Sequence, residues 1–197
     1  MTSQVSFSTV ANGNAPAHRF IRALANTAVP IVAVVEGVAV GPRAVGIGTT
    51  MLLHCDFVYA TARARFSMPF INLAVVPEAG SSLLLPRLVG HLRAAELLML
   101  GESFDGTKAR EFGIVSEICE PGDLSATALE TAKKLAAKSR SALRATKALL
   151  KRDLESLGAR IDAEILSFTG QLKTVAAREQ LTAFLEKRSA DPMKCRD

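Results

Sequence analysis

Two kinds of group that could support acid–base chemistry lie between Val38 and Gly80: the backbone N–H groups of a glycine-rich turn and the carboxylate of Glu78. An apolar run leads into the turn and an apolar segment follows it, which predicts a strand, a turn and a helix. N–H groups at a helix start can hold a developing negative charge. We therefore expect these donors and the Glu78 carboxylate to face one pocket. The glycines of the turn are Gly37, Gly41, Gly46 and Gly48.

The position of Glu78 also has a purely structural explanation. Acids are common near helix N-termini, where they contribute about 0.3 to 1 kcal/mol. Glu36, a second acid near the glycine turn, has nothing that distinguishes it from a charge at a strand end. Among the histidines, we expect His54 to be a packing residue within an apolar segment, and His18 and His91 to lie on the surface.

The sequence lacks the motifs of several other kinds of functional site. Gly46 and Gly48 would begin a dinucleotide fingerprint, but its third glycine position holds Met51. The chain has no G-x-S-x-G, no H-E-x-x-H and no P-loop lysine, which argues against a serine nucleophile and metal-dependent hydrolysis. The cysteines are odd in number and far apart, so we expect reduced thiols and no metal site.

Composition narrows the class of ligand. The 197 residues are 49% hydrophobic and 22% charged, as in one globular domain. The net charge is +5, but the basic residues are dispersed and aromatics make up only 5%, so we expect a phosphate-bearing ligand rather than nucleic acid. No apolar run approaches the roughly 20 residues of a membrane span, and the first residues do not resemble a signal peptide. We therefore expect a cytoplasmic protein without a membrane partner.

The elements that must position Glu78 follow from periodicity and from glycine and proline signals. The first half predicts a helix capped by Asn14 with Pro16 in its first turn, a strand at Ile31–Val35 buried on both faces, a helix at Thr49–Cys55, a strand at Phe57–Ala60 and an extended segment at Pro69–Val76. The second half predicts a helix at His91–Leu100 ended by Gly101, a short helix starting at Asp105 or Thr107, a strand at Ile114–Ile118, and helices from Ser125 onward broken near Ser139, Gly158 and Gly170. The class is α/β with a helical C-terminal part that must cover its own sheet or a neighbouring subunit.

A family resemblance extends from about Ala15 to the C-terminus. The blocks that carry it are Pro30–Gly41 (PIVAVVEGVAVG), Gly46–Gly48, Cys55–Asp56, Tyr59–Ala60, Ala64–Phe66, Leu73–Gly80 (LAVVPEAG), Pro86–Gly90 (PRLVG) and Ala109–Val115 (AREFGIV). They resemble the crotonase family of enoyl-CoA hydratases and isomerases, most closely the peroxisomal-type Δ3,Δ2-enoyl-CoA isomerases. The resemblance implies a spiral of ββα units over residues 1–124 and a helical trimerisation region over residues 125–197. It also implies an acyl-CoA substrate that carries the only coenzyme, and a homo-oligomer, either a trimer or a dimer of trimers.

The resemblance also implies roles for individual residues. The oxyanion-hole N–H of the family falls on Ile47, and the two glutamates of a typical hydratase fall on Thr50 and Phe70, neither of which can act as a carboxylate. Glu78 falls on the catalytic glutamate of the isomerases, in the Pro-Glu-x-x-Ser-Ser context of residues 77–82. Gly46, Phe70 and Leu73 are the implied substrate-binding residues, and an apolar pocket formed by Phe70, Leu73 and Val76 would raise the pKa of Glu78.

Two departures from the family leave an alternative open. We expect the section that precedes Ala15 in the family, with its second oxyanion N–H, to be missing, and the repeat around Pro42-Arg43 to be a five-residue insertion. The resemblance thus implies an enzyme that shifts the double bond of a 3-enoyl-CoA to the 2-position. The alternative is a catalytically impaired or non-catalytic acyl-CoA-binding protein of the same fold.

Overall fold

The computed structural model of the protein describes residues 16–39, 47–151 and 155–194. In this part of the chain the α-helices are α1 (Pro16–Ala25), α2 (Ile47–Thr50), α3 (Ser81–Val89), α4 (His91–Ala95), α5 (Gly106–Glu111), α6 (Leu124–Ala136), α7 (Arg140–Leu150), α8 (Glu155–Gln171) and α9 (Val175–Glu186). The strands are β1 (Val32–Val35), β2 (Val38–Ala39), β3 (Phe57–Ala60), β4 (Arg65–Phe66), β5 (Phe104–Asp105) and β6 (Glu117–Ile118). Two 3₁₀ turns, Met51–His54 and Ile71–Leu73, and a π-helical turn, Glu96–Leu100, complete the regular structure.

The described strands form two three-stranded sheets. One sheet has the order β1-β3-β6 with parallel pairs, and its register places Val32 beside Phe57 and Tyr59 beside Glu117. The other has the order β2-β4-β5, in which β2 and β4 are parallel and β4 and β5 antiparallel. Helix α6 packs against β1 and β3. The C-terminal helical part therefore begins by covering the chain's own sheet.

The prediction that β1 is buried on both faces is wrong for the described residues. Val34 in this strand is 45% exposed, and its neighbours are only partly buried. The reason is the position of β1 at the edge of its sheet, where only β3 pairs with it in the part of the chain that the structure describes. The apolar run correctly predicted the strand, but it could not indicate which neighbours the strand has.

The main core lies between the two sheets and the helices that follow them. Phe66 and Phe104, from paired strands, stack with ring centroids 5.6 Å apart, and Phe112 packs at 6.3 Å from Phe104. Phe66, Met68, Phe70 and Leu85 are completely buried in this cluster. Burying each such side chain stabilises the fold by about 1.5 to 3 kcal/mol.

Some of the predicted element boundaries agree with the structure, and others differ from it. The predicted helix at residues 49–55 is instead α2 followed by a 3₁₀ turn, the segment at residues 69–76 contains a 3₁₀ turn, and the strand at residues 114–118 is reduced to β6. Asp105 caps α5 by accepting from Lys108 N at 2.8 Å, and Ser139 caps α7. Gly158 lies inside α8, so the predicted break there is wrong, whereas α8 ends at Gln171, next to Gly170, as predicted. Asn14 lies outside the described residues.

His18 corrects another prediction. It is buried, with only 6% of its surface exposed. The cause is helical spacing, since His18 shares one face of α1 with Ile21 and Ala25, which are also buried. Its charged neighbour Arg19 is exposed. His91, by contrast, is exposed, as predicted.

Lys147 anchors α7 to the start of β1. It is the buried residue of an otherwise largely exposed helix. Its Nζ donates to Asp56 Oδ2 at 2.6 Å and to Val29 O at 2.7 Å. The same Asp56 oxygen accepts from Ile31 N at 2.7 Å. One ion pair thus joins the helix, the segment that enters β1 and the residue that precedes β3.

Gly106, the first residue of α5, leaves no room for a side chain. A Cβ at this position would lie 2.1 Å from the carbonyl oxygen of Thr61, while Gly106 N donates to Ala62 O at 3.1 Å. We expect Gly106→Ala to lower the free energy of unfolding by about 1 to 3 kcal/mol, measured by urea denaturation. Gly122→Ala is the control, because a Cβ there meets nothing within 4 Å. Equal stability of the two variants would contradict the predicted clash.

In the described part of the chain no helix is long and apolar enough to cross a membrane. Within the same residues, no three His, Cys, Asp or Glu side chains are grouped as a metal site would require. Cys55 and Cys119 are free thiols, and Cys195 lies outside the described residues.

Candidate active site

Glu78 lies in a turn whose backbone is held by the start of α3. Ser81 donates to the Glu78 carbonyl oxygen twice, from its N–H at 3.0 Å and from its hydroxyl at 2.6 Å. Ala79 and Gly80 both have positive φ, 59° and 70°. Alanine rarely adopts this conformation, so the surrounding contacts must enforce it. The turn therefore presents the Glu78 side chain in a fixed direction.

The Glu78 carboxylate contacts the helix that follows the glycine-rich turn. Thr50, which is completely buried, donates from Oγ1 to Glu78 Oε1 at 2.9 Å. Thr50 ends α2, and Ile47 begins it. Residues three apart share a helix face and are separated by about 4.5 Å along the axis. Ile47 also packs against the small cluster that contains Ala79. The structure thus places the start of α2 and the Glu78 turn together.

The environment of Glu78 makes it a proton acceptor suited to neutral pH. The pKa of this carboxyl is raised from 4.5 to about 7. Burial is the main cause, the hydrogen bond from Thr50 opposes the rise, and the nearby charge of Glu164 adds to it. A group with a pKa near the working pH can both remove and return a proton efficiently. The direction agrees with the expected rise for a base in an apolar pocket.

The carboxylate of Glu164, rather than that of Glu78, accepts hydrogen bonds from the N-terminus of α3. Its carboxylate accepts from Gly80 N at 2.6 Å, from Ser82 N at 3.0 Å, and from the Ser82 hydroxyl. The contacts join residues more than 80 positions apart, so the local sequence around Glu78 does not indicate them. One signal could have pointed to Glu164: with Ile161, Ile165 and Phe168 it falls on the apolar face of a predicted helix, where an acid needs a partner.

His54 supports the same turn and is a packing residue, as predicted. It is buried, and its Nε2 lies 2.8 Å from Ala79 O, where the protonated nitrogen donates. The pKa of His54 is lowered, mainly by burial. The hydrogen bond to Ala79 raises this pKa, and the positive charges of Lys151 and Lys147 lower it. The imidazole is therefore neutral at physiological pH and holds the carbonyl that follows Glu78.

Of the other predicted site residues, two are core residues and one lies outside the described residues. Phe70 and Leu73 are buried in the main core, whereas Ala79 belongs to the separate cluster with Ile21, Ala25 and Ile161. Gly46 and the Pro42-Arg43 repeat lie outside the described residues. Glu36 is exposed at the end of β1.

A cavity of about 500 Å³ lies between the start of β1 and helices α6 and α7, apart from the predicted site residues. Its lining is mainly apolar, with two arginines, and consists of Val29, Pro30, Val32, Ala132, Leu135, Ala136, Arg140, Leu143 and Arg144.

Known proteins share both the sequence pattern and the fold. A sequence model of the family described as Enoyl-CoA hydratase/isomerase matches residues 7–192. The 2,3-dehydroadipyl-CoA hydratase of Escherichia coli (strain K12) is 37% identical over 82% of this chain and 62% of its own length. The 1,2-epoxyphenylacetyl-CoA isomerase of the same organism is 32% identical, over 86% of this chain and 63% of its own. The chain therefore spans less than two thirds of the length of these relatives.

The fold agrees with this sequence match. The crystal structure of an enoyl-CoA hydratase/isomerase from Pseudoalteromonas atlantica T6c superposes with a TM-score of 0.83 at 36% identity, covering 91% of this chain and 71% of that one. The resemblance carried by the residue blocks between Pro30 and Val115 is thereby confirmed at the level of family and fold. The chain belongs to the enoyl-CoA hydratase/isomerase family and has the crotonase fold.

Proposed function

We propose that the protein converts a 3-enoyl-CoA thioester into the conjugated 2-enoyl-CoA, with Glu78 as the only carboxylate that moves the proton. The observation that carries the proposal is the state of Glu78: one partly buried carboxyl, held by Thr50, with a pKa of about 7. The relatives include both a hydratase and an isomerase, so the family alone does not select the reaction.

The reaction needs one base and one site for negative charge. The Glu78 carboxylate removes a proton from C2 of the thioester, and the electron pair is delocalised over the thioester oxygen and the C3–C4 double bond. The backbone N–H of Ile47, at the start of α2, is the proposed donor to that oxygen. The protonated Glu78 then returns the proton to C4, and the double bond moves to C2–C3. No atom is gained or lost, and the base is regenerated.

The residues at the two hydratase glutamate positions favour isomerisation over hydration. Adding water across a double bond requires a second group that can activate the water or protonate carbon. The two positions that carry hydratase glutamates in the family hold Thr50 and Phe70, of which Thr50 donates to Glu78 and Phe70 is completely buried in the core. Neither can act as a second carboxylate.

The proposed substrate and assembly follow from the family. The substrate is an acyl-CoA thioester, which brings its own coenzyme, so no further cofactor is proposed. The helical part exposes large apolar side chains that a partner copy would cover, and these support a homo-oligomer, a trimer or a dimer of trimers. They are Leu149, Leu150, Leu166, Val175, Phe184 and Leu185.

The assembly is tested by sedimentation equilibrium. We expect a mass that is a multiple of the 20.9 kDa chain and is concentration-dependent near its dissociation constant. A monomer at every concentration would refute the proposed oligomer. It would not bear on the proposed role of Glu78, which has its own test.

The reaction is tested with a short 3-enoyl-CoA, whose product absorbs in the ultraviolet because its double bond is conjugated with the thioester. We expect absorbance to rise, while a 2-enoyl-CoA incubated in parallel loses little absorbance through hydration. Deuterium entering C2 from heavy water reports proton removal even when isomerisation is slow. Rapid hydration of the 2-enoyl-CoA would refute the single-carboxylate proposal. Binding of the thioester with neither turnover nor exchange would favour the non-catalytic alternative.

A further inference from the structure

The turn that carries Glu78 is held from a distant part of the chain. Glu164 on α8 is 7% exposed and directs its carboxylate at the N-terminus of α3. One oxygen accepts from Gly80 N, and the other accepts from Ser82 N and the Ser82 hydroxyl. Gly80 itself, the residue that caps α3, provides no side chain for this purpose. Glu164 therefore satisfies N–H groups that the local sequence leaves without a side-chain acceptor.

The same contacts limit where Glu78 can move. The hydrogen-bonded N–H groups lie two and four residues after Glu78, and the two residues with positive φ, Ala79 and Gly80, directly follow Glu78. Without an acceptor for these N–H groups, the turn would be free to relax toward commoner backbone conformations. A displacement of about 1 Å in a reacting group can lower a rate by about 10²-fold.

We propose that Glu164 is a positioning residue for Glu78, fixing the turn through three hydrogen bonds and placing a second negative charge beside the base. The inference rests on the proposed role of Glu78 in isomerisation. Its geometric part concerns the Glu78–Ser82 turn, and its electrostatic part concerns the proton affinity of Glu78. The two parts have separate measurements.

The electrostatic part follows from the charges around the turn. The charge of Glu164 raises the pKa of Glu78. The pKa of Glu164 itself is raised by burial, whereas the hydrogen bonds from Ser82 and Gly80 and the charge of Arg160 on α8 lower it. The packed elements carry further titratable or charged groups. These are His54 on the 3₁₀ turn, His18 and Arg19 on α1, the Arg22–Asp162 pair between α1 and α8, Arg87 on α3, and His91 and Arg93 on α4.

The first experiment compares wild type with Glu164→Gln by carbon NMR titration of the Glu78 carboxyl, which needs no turnover. We expect Glu78 to titrate at a lower pH in the variant, by about one unit or less. Asp162→Asn is the matched control on the same helix, because its side chain is 62% exposed and pairs with Arg22 at the surface. An unchanged Glu78 titration in folded Glu164→Gln would overturn the electrostatic part.

The second experiment measures kcat for 3-enoyl-CoA isomerisation against pH. Glu164→Gln is expected to lower the plateau value of kcat about 10- to 100-fold and to move the ascending limb of the pH profile to lower pH. We expect KM to change less than kcat. Ser82→Ala removes one hydrogen-bond donor and keeps the Glu164 charge. It is expected to lower the plateau of kcat without moving the ascending limb of the pH profile. This variant also tests positioning if Glu164→Gln does not fold. Unchanged plateaus in both variants would overturn the geometric part. Absence of turnover in wild type would instead refute the proposed function, and the NMR result would still stand.

Discussion

Replacing Glu78 by glutamine is expected to slow the isomerisation of a 3-enoyl-CoA by about 10²- to 10⁴-fold, the range contributed by a positioned general base. Glutamine has nearly the same volume and can still accept the hydrogen bond from Thr50, but it cannot take up a proton. The fold should therefore remain intact while proton transfer is lost. The measurement is kcat from the rise in absorbance of the conjugated product, at a pH above 7.

The matched control is Glu36→Gln, the same chemical change at an exposed acid near the glycine-rich turn. Its kcat is expected to equal that of wild type. The wild-type rate should rise with pH through about 7, because the ionised form of Glu78 is the base and its pKa is about 7. If Glu78→Gln and Glu36→Gln turned over equally fast, Glu78 would not be the base.

The largest expected effect on stability is at Lys147. Lys147→Met keeps the length of the side chain and removes its charge, which leaves Asp56 without the ion pair at 2.6 Å and Val29 without its donor. Removing one partner of a buried ion pair is costly because the other charge stays desolvated. Asp56 retains some exposure, 21% of its side chain, so we expect the free energy of unfolding to fall by about 3 kcal/mol, the lower end of the usual range. The measurement is denaturant unfolding at neutral pH.

Two further variants separate the ion pair from other effects of the substitution. Lys138→Met changes an exposed lysine just before α7 and is expected to alter stability by no more than about 0.5 kcal/mol. In an Asp56→Asn background, Lys147→Met should cost clearly less than it does in wild type, because the stranded charge is absent. Additive losses in this double-mutant cycle would show that the ion pair is not the cause.

The elements of this fold were predictable where the signal is local. Asp105 and Ser139 are helix caps of the preferred residue types, and Gly101 ends its helix in the left-handed conformation that glycine favours. The β-branched run before Glu36 correctly indicated a strand. The same rules failed at Gly158, because a glycine within a helix costs only about 1 kcal/mol, which packing can offset.

The candidate site was only partly predictable because its contacts join distant segments. The residues alone indicated a Glu78 carboxylate facing the N–H groups of a glycine-rich turn, whereas the specific roles of Glu78 and Ile47 came from the resemblance to a family. The partners that fix the chemistry of Glu78, Thr50 and Glu164, are 28 and 86 positions away in sequence and meet it only in the folded chain. The burial of Lys147 was likewise not predictable, because a lysine on a polar helix normally indicates a solvated face.

The partial burial of Glu78 also links proton binding to folding. Its pKa is about 7 in the folded protein against an ordinary value of 4.5, so the folded chain binds this proton more tightly than the unfolded chain does. As the pH rises between these two values, the unfolded state loses the proton first and the free energy of unfolding falls, by at most about 3 kcal/mol in total. The ionised form that the proposed reaction requires is therefore the form that the fold stabilises least. Glu78→Gln, which cannot ionise, should be more resistant to unfolding than wild type above pH 7, so that the inactive variant is the more stable protein.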